Sequence, residues 1–203
     1  AVTTSQADAA GGIVGMMEGV LDACGNTGEV RGGARSGGLF VSDNGCSVRD
    51  CFNTAPVTAA GLAGGLGIDF YGGDYETSNS YNAGRVQGTN EAWALRNGYS
   101  GQELEDYNLW CQDDVLENKS ELERQAGERA KPAGEMKTAL FAATLGNKWV
   151  QADGENSGYP TPRTSGTLSW KEIGARVDNA DDPLHVYSLE TGRLGEGSAD
   201  KPY

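Results

Sequence analysis

Few side chains in this sequence are equipped for chemistry, and their inventory decides against most reactions. The single histidine, His185, sits beside Val186 and Tyr187 in an expected strand. A Ser-His-Asp or Cys-His constellation has no other candidate base, and a partly exposed strand histidine is the expected state of His185. With one histidine and no CxxC spacing among Cys24, Cys46, Cys51 and Cys111, zinc lacks a plausible ligand set. Glycoside hydrolysis needs two carboxyl groups held about 5–9.5 Å apart, and Asp43, Asp50, Asp69, Asp74 and Glu76 are the acids available in the N-terminal half. Their positions do not recur and no basic cluster accompanies them to steer a uronate. Acids are a seventh of the chain (29 of 203), so neighbouring carboxylates are expected by chance. Oxygen-rich loops occur at Asp43-Asn44-Gly45, Gly73-Asp74, Asp153-Gly154 and Asp178 to Asp182. None follows an EF-hand or nonapeptide calcium spacing, and ordinary turns explain them equally well. No catalytic, cofactor-binding or metal-ligating residue is assigned, and no cofactor is expected. Tyr71, Tyr75 and Tyr81 can stack on sugars or cover the edges of a fold; the second is the expected role.

The elements that must carry these residues announce themselves by repetition. Nearly the same phrase occurs three times: Cys24-Gly25-Asn26-Thr27-Gly28-Glu29-Val30, Cys51-Phe52-Asn53-Thr54-Ala55-Pro56-Val57 and Ser80-Tyr81-Asn82-Ala83-Gly84-Arg85-Val86. The asparagines fall 27 and then 29 residues apart, and a glycine pair precedes each phrase, at Gly11-Gly12, Gly37-Gly38 and Gly64-Gly65. A period in this range is the mark of stacked coils, each burying its apolar face only against its neighbours. Aligned on the asparagine, Ile13, Leu39 and Leu66 form one column, Leu21, Val48 and Thr77 a second, and Val30, Val57 and Val86 a third. Apolar columns between glycines and polar turns predict three short parallel strands per coil. At about 3.3 Å per residue, one repeat has room for a full turn of a β-helix with its corners. The outward face carries Glu29, Ser42, Arg49 and Arg85.

Asn26, Asn53 and Asn82 are expected at corners. Asparagine tolerates left-handed dihedrals, can bond its own backbone two residues on, and in register can build a ladder of amides up the stack. The glycines are expected to serve demanding turns. From Gln6 to Ala23 the apolar spacing also fits a helical stripe; three interior glycines and the alignment with later repeats favour strand. Cys24 and Cys51 occupy equivalent positions, about 4.8 Å apart if the coils stack in register. That separation permits a disulfide, but side chains pointing the same way favour a column of free thiols.

Beyond Gly88 the period fades. Tyr107 to Cys111 is expected as a last, degenerate rung, and the acidic stretch Asp113 to Arg129, anchored only by Val115, Leu116 and Leu122, as a solvated helix or an excursion. A helix is predicted from Ala133 to Leu145, with Met136, Leu140, Phe141 and Leu145 on one stripe and Gly146-Asn147 stopping it. Trp149-Val150, Leu168 to Trp170 and Leu184 to Leu189 are expected strands. Raw strand edges invite unwanted pairing, and the helix-plus-Trp module is the expected cap. The domain reading is a repeat solenoid at 1–112, an acidic insertion and capping segment at 113–170, and an extension at 171–203.

A net charge of −13, with sixteen scattered Lys and Arg, argues against nucleic acid or anionic membranes as partners. No run reaches the roughly 18 apolar residues that span a bilayer. The opening Ala1-Val2-Thr3-Thr4, without Met or a basic leader, reads as a mature form or a piece of a longer chain.

The pattern Gly-Gly-Leu/Ile, a spacer, then Cys-aromatic-Asn-Thr/Ala-Gly-x-Val resembles the GLUG repeat of bacterial surface proteins. Glu135 to Phe141, Trp149-Val150 and Gly158-Tyr159-Pro160 resemble the segment that often closes such arrays. Departures are Ala23 and Asp50 for the Asn before the cysteine, Gly25 for the aromatic, and Ala55-Pro56 at the Thr-Gly step. The resemblance implies a β-solenoid module of a secreted or wall-attached protein, adhesin-like or a spacer, that recognises a host protein or glycan and carries no catalytic site. The alternatives are a carbohydrate-active β-helix enzyme, lyase or glycosidase, and an accessory domain of a secreted protease such as an immunoglobulin A peptidase.

Overall fold

The chain coils into a parallel β-solenoid of about three turns, followed by short helices, in a computed structural model that describes residues 2–3, 9–15, 19–42, 46–69, 76–97, 101–151, 154 and 156–163. All of these belong to one compact unit, Ala1–Arg163. Five parallel sheets run along the stack. The first joins Val2–Thr3, Val30–Gly32, Val57–Ala59 and Val86–Gly88, and the second Ala9–Gly11, Arg35–Gly37, Leu62–Gly64 and Glu91–Trp93. A third pairs Phe40–Ser42 with Gly67–Asp69, and a fourth Gly19–Asp22, Cys46–Arg49 and Thr77–Ser78. The fifth stacks Gly25–Asn26, Phe52–Asn53, Ser80–Asn82, Leu109–Gln112 and Ala130–Lys131.

The columns read from the sequence are in register: Val30 on Val57 on Val86, Leu21 on Val48 on Thr77, Asn26 on Asn53 on Asn82. Val30, Val48, Val57, Leu39 and Leu66 are fully buried inside the coil. The two middle coils, from Val30 to Asn53 and from Val57 to Asn82, are each cut into five strands of two to four residues rather than three, because corners interrupt them more often than the apolar columns reveal. Ala9–Gly11 and Gly19–Asp22 are strands, so strand prevails over helix in the first repeat. Leu109–Gln112 is the expected degenerate rung, paired with Ser80–Asn82, but it is not the last, because Ala130–Lys131 pairs on its far side. Glu91–Trp93 also continues the stack on Leu62–Gly64, so the period outlasts Gly88 although its sequence pattern does not.

Two local assignments are corrected. The left-handed corners are held by the residue that precedes each cysteine-column position, namely Ala23, Asp50, Asn79 and Asn108, with φ of 53°, 53°, 47° and 54°. Asn26, Asn53 and Asn82 end strands instead, without left-handed dihedrals, but each bonds its own backbone two residues on and its neighbour in the amide ladder, as expected. The paired glycines are required by proximity, not by dihedral. A Cβ on Gly38 would stand 2.0 Å from the Gly65 carbonyl oxygen and 2.7 Å from Asn53 Cγ, and one on Gly65 would stand 2.2 Å from both the Ala94 oxygen and Asn82 Nδ2. Glycine pair and asparagine are therefore two halves of one device: the amide packs into the space a side chain would fill.

The C-terminal segments exchange their expected roles. Residues 101–131 close the end of the stack, where Leu104, Val115, Leu116, Leu122 and Ala126 complete the core of the coil. The Lys119–Ala126 helix starts at Asn118, whose side chain accepts the Glu121 N–H at 3.2 Å. The helix-plus-Trp module lies on the outer face of the fifth sheet, where Met136, Phe141, Leu145, Trp149 and Tyr159 gather around Phe52 and Tyr81. The single helix expected over 133–145 is broken into Ala133–Met136 and Ala139–Leu145. Thr138 caps the second by accepting the Phe141 N–H at 3.1 Å, a competition that serine and threonine hydroxyls often win against helix continuation. The break turns Leu140 outward to 80% exposure. Expected strands at Leu168–Trp170 and Leu184–Leu189 lie outside the described residues. No helix among the described residues is long and apolar enough to cross a membrane.

Candidate functional site

Among the described acids of the N-terminal half, Asp22, Asp50 and Asp69 are tied to cations. Asp69 and Arg96 form an ion pair at 2.6 Å with both side chains about 95% buried, and Arg96 also donates to Thr77 Oγ1 at 2.9 Å. Asp50 binds Lys148 Nζ at 2.9 Å, and Asp22 reaches the same ammonium at 3.3 Å. Two carboxylates and an ammonium meet here, with Asp50 buried and Asp22 and Lys148 about half exposed, and the bonds to Asp50 and Asp22 raise the Lys148 pKa. The ammonium held between these two carboxylates fastens the outer module to the coil. Glu76 is exposed. Asp43, Asp74, Tyr71, Tyr75 and His185, and the loops at 43–45, 73–74 and 178–182 with Asp153, lie outside the described residues. Among the described residues no group of three metal-ligating side chains forms.

Cys24, Cys51 and Cys111 carry free thiols, so the Cys24–Cys51 bridge is absent; the Cys46 side chain lies outside the described residues. Cys51 Sγ accepts the Cys24 N–H at 3.4 Å, and the Cys51 N–H passes to Ser80 Oγ at 3.0 Å. In this column the side chain of the next coil, Cys51 Sγ and then Ser80 Oγ, accepts the N–H of the coil before it. Cys111 sits instead above Asn82. Burial pushes both Cys51 and Cys111 up to about 12, which makes them poor nucleophiles. The sign of the linkage follows. Their neutral forms stabilise the fold fully below the ordinary thiol pKa near 9, and this contribution disappears as pH rises from 9 toward 12. Urea unfolding is expected to give a stability that declines above pH 9, with a shallower decline in Cys111→Ala; parallel profiles would refute this assignment.

Tyr81 offers no platform to a sugar. It is fully buried, donates to the Pro160 carbonyl at 2.7 Å, accepts from Asn156 Nδ2 at 3.1 Å, and burial raises its phenol pKa well above the usual range.

Open chemistry collects at the C-terminal end of the stack. A groove of about 640 Å³ runs between the last strands of the first two sheets and the Lys119–Ala126 helix. Its floor is Val86–Gly88 and Glu91–Trp93; its far wall carries Leu116, Glu117, Asn118 and Glu121. Trp93 is half-buried, and Glu91 and Glu117 are exposed. Arg124 binds Glu121 in a fork, with Nε to Oε2 at 3.0 Å. Gln125 adds a bond to Glu121 Oε1 at 2.7 Å, and the bonds from Arg124 and then Gln125 hold the Glu121 carboxyl below its usual range. A second groove of about 420 Å³ lies over Trp110, whose ring is covered by Arg129 at 4.4 Å and Lys131 at 5.7 Å.

Sequence reading did not find the first groove. Glu91-Ala92-Trp93 replaces the Leu62-Ala63-Gly64 of the preceding coil, which hides the rung. The remaining signal was positional: Ala92 falls where the repeat predicts Ala63.

No protein-family model matches the chain, and no curated protein or solved structure shows a detectable match to it.

Proposed function

We propose that the chain is a non-catalytic binding module of a secreted or wall-attached surface protein, in which the solenoid is the stem and the groove at its C-terminal end is the recognition site for a host protein or glycan. The groove itself supports this reading best. It combines an aromatic ring, Trp93, with amides and carboxylates from Gln87, Asn90, Glu91, Glu117 and Asn118, the mixture of apolar face and orienting polar groups that ligand sites use. The likeness to the GLUG repeat agrees with it. The absence of catalysis is part of the proposal, and it rests on the pairing of Asp50 with Lys148 and of Asp69 with Arg96. A lyase or glycosidase would need such carboxyl groups facing a substrate.

The test is binding of the 203-residue chain to immobilised host cells and to arrays of glycans and peptides, with Trp93→Ala alongside. Removing a central aromatic anchor is expected to weaken binding at least tenfold while the melting temperature changes little. Absence of binding to any of these surfaces, or binding indifferent to Trp93, would sink the recognition reading in favour of a plain spacer.

A further inference from the structure

The groove lies where the chain abandons its own rung. Val30 donates its N–H to the Pro56 oxygen of the next coil, Val57 to the Arg85 oxygen, and Val86 to the Val115 oxygen, all at 2.8–2.9 Å. Val115 therefore stands in the place of Arg85, and the three residues that follow should lie over Val86–Gly88. They do not form a strand: Asn118, where a partner for Gly88 belongs, caps the Lys119–Ala126 helix instead. By the alternation of the ladder, Gly88 turns its main-chain N–H and C=O toward the vacated rung, and Val86–Gly88 is the last strand of its sheet. On the adjoining strand the same edge is closed by a side chain. Gln125 accepts the Ala94 N–H at 2.8 Å and donates to the Ala92 oxygen at 3.0 Å, the pair of bonds that another strand would make. The helix thus seals the Glu91–Trp93 edge and leaves the Gly88 end of the Val86–Gly88 edge, beyond the bond from Val86 to Val115, open inside the groove.

Charge narrows the occupant. Glu91, Glu117 and Glu121 line the groove against a single guanidinium, Arg124, already committed to Glu121. An anionic segment meets repulsion there, and a neutral one leaves two carboxylates unmatched. Resting on the proposal that the groove is the recognition site, we infer that its ligand is an extended peptide segment bearing lysine or arginine. It adds to the Val86–Gly88 edge by main-chain hydrogen bonds, the mode in which backbone pairing gives affinity and flanking pockets give selectivity. Its cations face Glu91 and Glu117, and Trp93 covers one of its apolar side chains.

The experiment titrates the 203-residue chain into a labelled, end-blocked hexapeptide of alternating lysine and valine and reads fluorescence anisotropy. The inference expects saturable binding, at least tenfold weaker for the same peptide N-methylated at alternate amides, at least tenfold weaker for the peptide with glutamate in place of lysine, and at least tenfold weaker for the Glu91→Lys/Glu117→Lys double variant. Those two carboxylates are exposed, so the variant tests charge without disturbing the core. Equal binding of the N-methylated peptide overturns strand addition, and equal binding by the charge-reversed protein overturns the cationic ligand. If a neutral hexasaccharide binds in a Trp93-dependent manner and the lysine peptide does not, the peptide inference falls while the groove remains a recognition site. If neither binds and host-cell binding is indifferent to Trp93, both fall.

Discussion

Asn53→Ala is expected to destabilise the protein by about 4 kcal/mol, a large share of what a domain of this size possesses. Asn53 is fully buried and its amide is completely used. Nδ2 donates to Asn82 Oδ1 at 2.8 Å and to the Ala55 oxygen at 2.8 Å, while Oδ1 accepts from Asn26 Nδ2 at 2.9 Å and from the Ala55 N–H at 3.3 Å. Truncation strands polar groups on the coils above and below, each worth about 1–3 kcal/mol when left buried and unpaired, and opens a void beside Gly38. Gly38 marks the other side of the same fit, since a methyl there would collide with the Asn53 amide and the Gly65 carbonyl. Equilibrium urea unfolding measures the loss. A cost under about 1 kcal/mol, the size of one ordinary net hydrogen bond, would mean that the column is decoration on a stack held by valines and leucines alone.

The second large effect belongs to Tyr81→Ala, for which a loss of about 5 kcal/mol is expected, at the upper end for a buried aromatic. The ring stacks on Phe52 at 5.7 Å and on Tyr159 at 6.2 Å, and meets Phe141 edge-on at 5.8 Å and Trp149 at 5.5 Å. Its hydroxyl ties down Pro160 and Asn156. Every one of these partners except Phe52 comes from the outer module, so the variant should loosen residues 133–163 before the solenoid melts. Limited proteolysis is expected to cut first between 133 and 163 in Tyr81→Ala, with Tyr81→Phe, which keeps the ring, resembling the parent in its cleavage sites. Cutting that begins within the coils in Tyr81→Ala would contradict the assignment of this tyrosine to the outer module.

Much of the solenoid was readable because its physics repeats. Parallel stacking places the same residue type above itself, so the columns at Leu21/Val48, Val30/Val57/Val86 and Asn26/Asn53/Asn82 follow from alignment alone. The misreadings have one cause: sequence spacing does not report what lies across the coil. Gly38 and Asn53 are far apart in the repeat and touch through the interior, so glycine looked like a turn residue and asparagine like a left-handed one. Tyr81 was expected to cover an edge of the fold, yet it lies on a sheet face that the outer module covers. The groove escaped notice for a related reason. It arises where Leu116 to Asn118 leave a rung, and departure from a repeat looks like insertion until the preceding strand's empty edge is seen. The exchange of roles between the acidic segment and the helix-plus-Trp module was illegible for the same reason: Leu104, Leu122 and Met136 are equally apolar, and only the fold says which sheet face or stack end each one covers.

The claim beneath all of this is that the repeated phrase is a structural code, with the asparagine column binding coil to coil. Hydrogen exchange of the Asn53 side-chain amide protons tests it most directly, read by nuclear magnetic resonance beside the exposed Asn147. Both Asn53 Nδ2 protons are bonded, one to its own turn and one to the next coil, so both should exchange only through global unfolding, with protection matching the Val57 backbone amide. Exchange at the rate of Asn147 in the folded protein would contradict the account.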